Sequence, residues 1–159
     1  MDQKKLALWL RAILAGVVLC SLVVYFVLVP LWGVRIAARH PEIDSGFWPW
    51  IVFIWCTAAP CYLCAFWGWR IISEIRRDNS FSHINAVYLR RIMKALLFDA
   101  AFFFAGNVVM VLLDWSELSV FVTAVLVCFL VVAVATAAAA LSHLVEKAAL
   151  LREENESII

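Results

Sequence analysis

The sequence predicts an all-α membrane protein with four transmembrane helices, and three observations carry that expectation. Mean hydropathy is +0.96 and 66% of the 159 residues are hydrophobic against 16% charged, which leaves too little polar surface for a water-soluble fold. Four apolar runs reach the roughly 20 residues that a helix needs to cross a bilayer. Basic residues crowd alternate connecting segments, as they do in chains whose positive loops stay in the cytoplasm.

The first run covers residues 12–34. Lys4 and Lys5 precede it as they would in a signal peptide, but the run exceeds the roughly 7–15 residues of such a segment and has no convincing cleavage site. It reads as a retained helix. The second run, 47–69, opens with Pro49 in its first turn, where proline does little harm. Pro60 lies inside it, removing a backbone donor and opposing the Cys56 carbonyl, so a kink is expected there with Thr57 meeting the freed group. The third run is 92–113. The fourth, 118–141, is rich in small residues: Ala133, Ala135 and Ala137 to Ala140 offer a close-packing face for span one or for a second copy in a homo-oligomer. Together the four runs form a single transmembrane domain, expected as a four-helix bundle.

Charge fixes the expected orientation. Lys4, Lys5 and Arg11 mark the N-terminal side, Arg70, Arg76, Arg77, Arg90, Arg91 and Lys94 surround the connection between spans two and three, and Lys147 and Arg152 follow span four. The opposite side has only Arg35 and Arg39 in its first loop, and an acidic turn from Asp114 to Glu117 in its second. Both termini are therefore expected in the cytoplasm. Tryptophan agrees, because its ring prefers the membrane interface: Trp32, Trp48, Trp50 and Trp115 gather at the outer edge, Trp9, Trp67 and Trp69 at the inner one, and Trp55 alone lies deeper.

The cytoplasmic segment 70–91 contains the turn and cap signal Asp78-Asn79-Ser80-Phe81-Ser82, so a helix is expected to begin near His83 and run into span three. Its basic residues Arg90, Arg91 and Lys94 would lie beside lipid headgroups. After Leu141 the apolar period continues at Leu144, Val145, Ala148 and Leu151, which extends span four as an amphipathic C-terminal helix over 142–159.

Within the spans Asp99 stands out, because an intramembrane carboxylate costs several kcal/mol unless paired, protonated or hydrated. It lies about 10 Å from the inner end of its run, and Arg11 begins span one on the same side, so an Arg11–Asp99 ion pair is expected. Asn107, two turns further along, is a second intramembrane polar group. Cys61 and Cys64 have zinc-like spacing without a second pair, and all five cysteines fall in apolar stretches, which indicates neither a metal site nor a disulfide framework. No phosphate-binding loop or nucleophile arrangement occurs, and His40, His83 and His143 lie in separate segments. The residues therefore point away from an enzyme and call for no cofactor. A net charge of +1 gives no reason for direct nucleic-acid binding.

Phe81-Ser82, Asn85 and Leu89-Arg90-Arg91-Ile92, the terminal stretch from Leu150 to Ile159, and the four spans resemble the bacterial domain-of-unknown-function family numbered 2975. The likeness covers most of the chain, which differs in its short first outer loop and its Glu156-Ser157-Ile158-Ile159 ending. The resemblance implies a multi-pass protein of the bacterial cytoplasmic membrane. It also implies a small cytoplasmic helix-turn-helix regulator as partner, because such regulators are often encoded beside family members. The surface expected to bind or sequester that regulator comprises Phe81, Asn85, Tyr88, Leu89 and Arg90 on one helix and Leu144, Ala148 and Leu151 on the other. The alternative is a small transporter, channel or export accessory using Asp99.

Overall fold

The computed structural model describes residues 3–39, 46–77, 79–116 and 118–157. All regular structure among them is helical. The first membrane-length helix is composite: α1 (Gln3–Val23), a π-helical turn (Val24–Leu28) and α2 (Val29–Arg39). Then follow α3 (Phe47–Arg76), α4 (His83–Leu112) and α5 (Leu118–Ser157). Four helices are thus long and apolar enough to span a membrane: Lys4–Arg35, Phe47–Arg76, His83–Leu112 and Leu118–Asn155. At about 1.5 Å per residue, a 30-residue helix is about 45 Å long, so α3 and α4 exceed the roughly 30 Å hydrocarbon core. The 40-residue α5 exceeds it by about twice as much.

The longest contact is the α4–α5 hairpin. Burial on α5 steps by four and three residues through Ala124, Cys128, Val131, Ala135, Ala138, Ser142, Val145 and Ala149. On α4 the same alternation runs through Ala86, Leu89, Met93, Leu96, Ala100, Phe103, Asn107 and Met110. This is the repeat of a left-handed antiparallel coiled coil. Two cross-helix bonds hold its register: Cys128 Sγ donates to the Ala100 carbonyl (3.6 Å) and Ser142 Oγ to the Ala86 carbonyl (2.8 Å). Both pairs are symmetric in sequence about Asp114, and they lie two heptads apart on each helix.

Asp114 makes the hairpin turn. Its φ of 55° is left-handed, its N–H reaches the Val111 carbonyl (3.1 Å), and the Trp115 N–H reaches the Met110 carbonyl (2.9 Å). These two bonds form a Schellman motif with aspartate at the position glycine usually takes. At the other end of α4, Ser82 caps the helix by accepting from the Asn85 N–H, within the cap region expected from the sequence.

Among the described residues α5 packs only on α4, and the first helix only on α3, which in turn packs on α4. The expected four-helix bundle is therefore corrected to an open row, first helix to α3 to α4 to α5. The α3–α4 joint is tight at Gly106, where an added Cβ would overlap the Phe53 ring. Phe53 stacks there on Phe103 with ring centroids 5.8 Å apart. The small-residue face of α5 is split: Ala135 and Ala138 pack toward α4, while Ala133, Ala137 and Ala140 stay exposed. Span one is not their neighbour. α3 continues through Pro60 as one helix. The Thr57 hydroxyl donates to the Ile54 carbonyl (2.7 Å) and not to the Cys56 carbonyl that Pro60 leaves without a donor.

Candidate functional site

The most concentrated intramembrane chemistry lies along α3, between the first helix on one side and α4 on the other, and proline in the first helix shapes it. Pro30 has no N–H to give. The Val29 N–H bonds the Val24 carbonyl, five residues back in place of the usual four, which is the π turn. The Tyr25 carbonyl has thereby lost Val29 as donor, and the next residue along is Pro30. Trp55 of α3 fills the gap: its indole Nε1 donates to the Tyr25 carbonyl at 3.1 Å. The one tryptophan that lies deep is there to satisfy a stranded backbone group.

The same arrangement brings the Tyr25 hydroxyl to α3, 3.4 Å from Thr57 Oγ1 and 3.9 Å from Cys61 Sγ. Tyr25, Cys61, Cys64 and Cys128 all lie within electrostatic reach of Asp99. Asp99 is 9% exposed, and its Oδ1 is buried without a hydrogen-bond partner. A hydroxyl pair and a thiol thus lie in one cluster, with an unsatisfied carboxylate near enough to influence them. Among the described residues no group of three or more His, Cys, Asp or Glu side chains could hold a metal ion.

The expected Arg11–Asp99 ion pair is not formed. Arg11 Nη2 donates to Ser73 Oγ of α3 at 3.0 Å, and its guanidinium lies 5.0 Å from the centre of the Trp69 ring. The cause is one of level. Cys64 Sγ meets the Ile92 carbonyl and Phe53 meets Gly106, so Asp99, midway between Ile92 and Gly106, falls midway between Phe53 and Cys64. Arg11 is level with Ser73, about 18 Å from Cys61 along α3. Asn107 does not join Asp99 either. Its Nδ2 donates to the Phe103 carbonyl one turn back on its own helix at 2.8 Å.

A second locus lies at the end of the hairpin remote from Asp114. Glu146 of α5 accepts from Arg90 Nη2 at 2.7 Å and lies 3.9 Å from His83 Nδ1. Asn85 is not available as a docking residue. It is 1% exposed, and its Nδ2 donates to the carbonyls of Asn79 and Ser80, at 3.1 and 3.0 Å. Asn79 in turn donates to Glu74 Oε2 at 3.1 Å. Asn85 therefore anchors the α3–α4 connection. Tyr88, Leu89 and Ala148 are half-buried, whereas Phe81, Leu144 and Leu151 are exposed. Asp78, Glu117, residues 40–45 and the last two residues of the terminal stretch lie outside the described residues.

Tyr25, Thr57 and Trp55 are the cluster members that sequence reasoning did not assign to a site. The available signal was Pro30, whose missing N–H requires a compensating donor, together with the unexplained depth of Trp55. A family model described as "Protein of unknown function (DUF2975)" matches residues 32–159. No curated protein and no solved structure matches the chain.

Proposed function

Because the chain belongs to the DUF2975 family, whose function is unknown, we propose from its geometry that it is a non-enzymatic multi-pass membrane protein that docks a cytoplasmic partner on the far end of the α4–α5 hairpin. The carrying observation is a braced arm with unpartnered apolar side chains. Arg90–Glu146 and Ser142–Ala86 tie its two helices together, while Phe81, Leu144 and Leu151 stand 58%, 63% and 55% exposed. A rigid pair of helices presenting apolar anchors suits helix-in-groove recognition. The basic residues near this end support placing it, with both termini, on the cytoplasmic side of a bacterial plasma membrane.

On this reading the partner is a small helix-turn-helix regulator, held away from DNA until helix packing changes. The protein itself would not touch nucleic acid. Photo-crosslinking probes at Phe81 and Leu151, used in cells of the native organism, test it. Capture of a small DNA-binding regulator from both positions, with capture from Phe81 lost when Leu144 and Leu151 are changed to Ser, is the expected result. Capture of lipid alone by a folded protein would remove the reading.

The unpartnered Asp99 carboxylate favours a second reading, a small transporter, channel or export accessory moving protons or cations past Tyr25 and Cys61. Proteoliposomes holding a pH-sensitive dye under a potassium diffusion potential test it. Proton entry that is lost in a folded Asp99→Asn variant is expected, and equal traces from both proteins would exclude a proton route through Asp99.

A further inference from the structure

Arg90 and Arg91 are neighbours in sequence that turn to different tasks. Arg90 closes on Glu146 of α5, whereas Arg91, one step of about 100° around the helix, faces α3. Arg91 and Lys94 border an open groove between α3 and α4 with a volume of about 670 Å³, within the roughly 300–1,000 Å³ of small-molecule sites. Leu63 and Trp67 of α3 form one wall, and Phe98 and Phe102 of α4 the other. Neither Arg91 nor Lys94 makes an ion pair among the described residues, and the Arg91 guanidinium lies 6.0 Å from the centre of the Tyr88 ring on its own helix.

The groove therefore has two cations at one end and hydrocarbon walls along the rest. From Arg91 to Phe102 it rises about 16 Å, which matches one leaflet, half of the roughly 30 Å hydrocarbon core. We infer that this groove is a binding site for one anionic phospholipid, its phosphate between Arg91 and Lys94 and one acyl chain laid along Leu63, Trp67, Phe98 and Phe102. Charge selects the headgroup, because a zwitterionic lipid brings a compensating cation to the same place. Length selects a membrane lipid over a soluble anion. The site is independent of whatever docks on the hairpin end, and its occupant would wedge the α3–α4 joint from the lipid side.

Native mass spectrometry of the full-length protein in non-ionic detergent tests this directly, with phosphatidylglycerol and phosphatidylcholine of identical acyl chains as probes. A basic residue at an anionic lipid surface is worth about a fivefold change in affinity, so with two of them retention of one phosphatidylglycerol should exceed that of phosphatidylcholine by about twenty-five-fold. The double variant Arg91→Gln/Lys94→Gln should bind both lipids equally, and Arg76→Gln/Lys147→Gln, with the same charge loss elsewhere, should keep the preference. Leu63→Trp, which fills the groove and leaves the cations in place, should weaken phosphatidylglycerol while helical circular dichroism stays unchanged. Three outcomes would overturn the inference: no headgroup preference in the unaltered protein, a preference that survives loss of Arg91 and Lys94, or displacement of the lipid by millimolar inorganic phosphate.

Discussion

Changing Trp55 to Phe should leave the Tyr25 carbonyl, in the middle of a membrane-length apolar helix, without a donor. The substitution keeps an aromatic ring beside Phe26, whose centroid lies 5.7 Å from that of Trp55, and removes the indole N–H that donates at 3.1 Å. A buried acceptor left unsatisfied costs about 1–3 kcal/mol, while interhelical hydrogen bonds measured in membranes average about 0.6 and reach about 1.7 kcal/mol. The Tyr25 carbonyl has lost its own helical donor, so we place Trp55→Phe near the upper end of the membrane values, about 1.5 kcal/mol. Pro30→Ala supplies the decisive second step. An alanine N–H at position 30 can bond back to Tyr25 or Phe26, and in that background the indole is no longer required. The two changes should therefore couple: Trp55→Phe should cost less than about 0.5 kcal/mol when Pro30 is alanine. Reversible unfolding of all four proteins in mixed micelles, followed by circular dichroism, measures the cycle. Strict additivity would refute the link between Pro30, the π turn and the indole donor, because it would mean that Trp55 contributes packing alone.

Three further perturbations have defined outcomes. Gly106→Ala should destabilise by about 1–3 kcal/mol as the new methyl group displaces the Phe53 ring, and Phe53→Leu in the same chain should recover much of the loss, read by the same unfolding assay. Asn85→Ala removes two donors to the Asn79 and Ser80 carbonyls. It should cost about 2 kcal/mol and speed proteolytic cleavage between α3 and α4, and an unchanged cleavage rate would show that the loop is held by other means. Asp114→Gly should raise stability by about 1 kcal/mol, because glycine takes the left-handed conformation without the penalty a side chain incurs, whereas Asp114→Val should lower it by more than that.

The helices were legible because length and hydropathy leave few alternatives for such runs. The cap at Ser82 and the helical run past Leu141 followed from local chemistry. What failed depends on relations between helices. Arg11 and Asp99 matched by depth only while each was measured from the end of its own apolar run. The level of one helix against another is set by contacts such as Phe53 with Gly106, which no single run contains. Asn85 was expected on the docking surface because it belongs to the stretch of α4 that carries the family resemblance. It is instead folded back over the preceding loop, meeting carbonyls that a turn cannot pair internally. Pro30 and Trp55 each carried half of one signal, and only the packed pair shows that the two halves meet at Tyr25.

The open row has a mechanical consequence. α4 and α5 share a heptad seam held by the Cys128–Ala100, Ser142–Ala86 and Arg90–Glu146 bonds, so they should move as one body. Among the described residues the first helix touches only α3, through features such as Arg11 on Ser73, Leu14 against Gly68, Tyr25 with Thr57, and Gly33 against Phe47 and Trp50. Local stability follows the density of such contacts, so the first helix, whose joint with α3 is thinner than the hairpin seam, should separate at less cost than α5. Asp99 lies on α4 within electrostatic reach of this joint, through Tyr25 of the first helix and Cys61 of α3. A change at Asp99 would bear on the loose joint, because the seam of the hairpin lies on the neighbouring face of α4, at Ala100 and Phe103. A signal that shifts the first helix thus has a short physical route to Asp99. To reach the docking end of the hairpin it must instead tilt α4 and α5 together against α3, about the Gly106–Phe53 contact where the two bodies approach most closely.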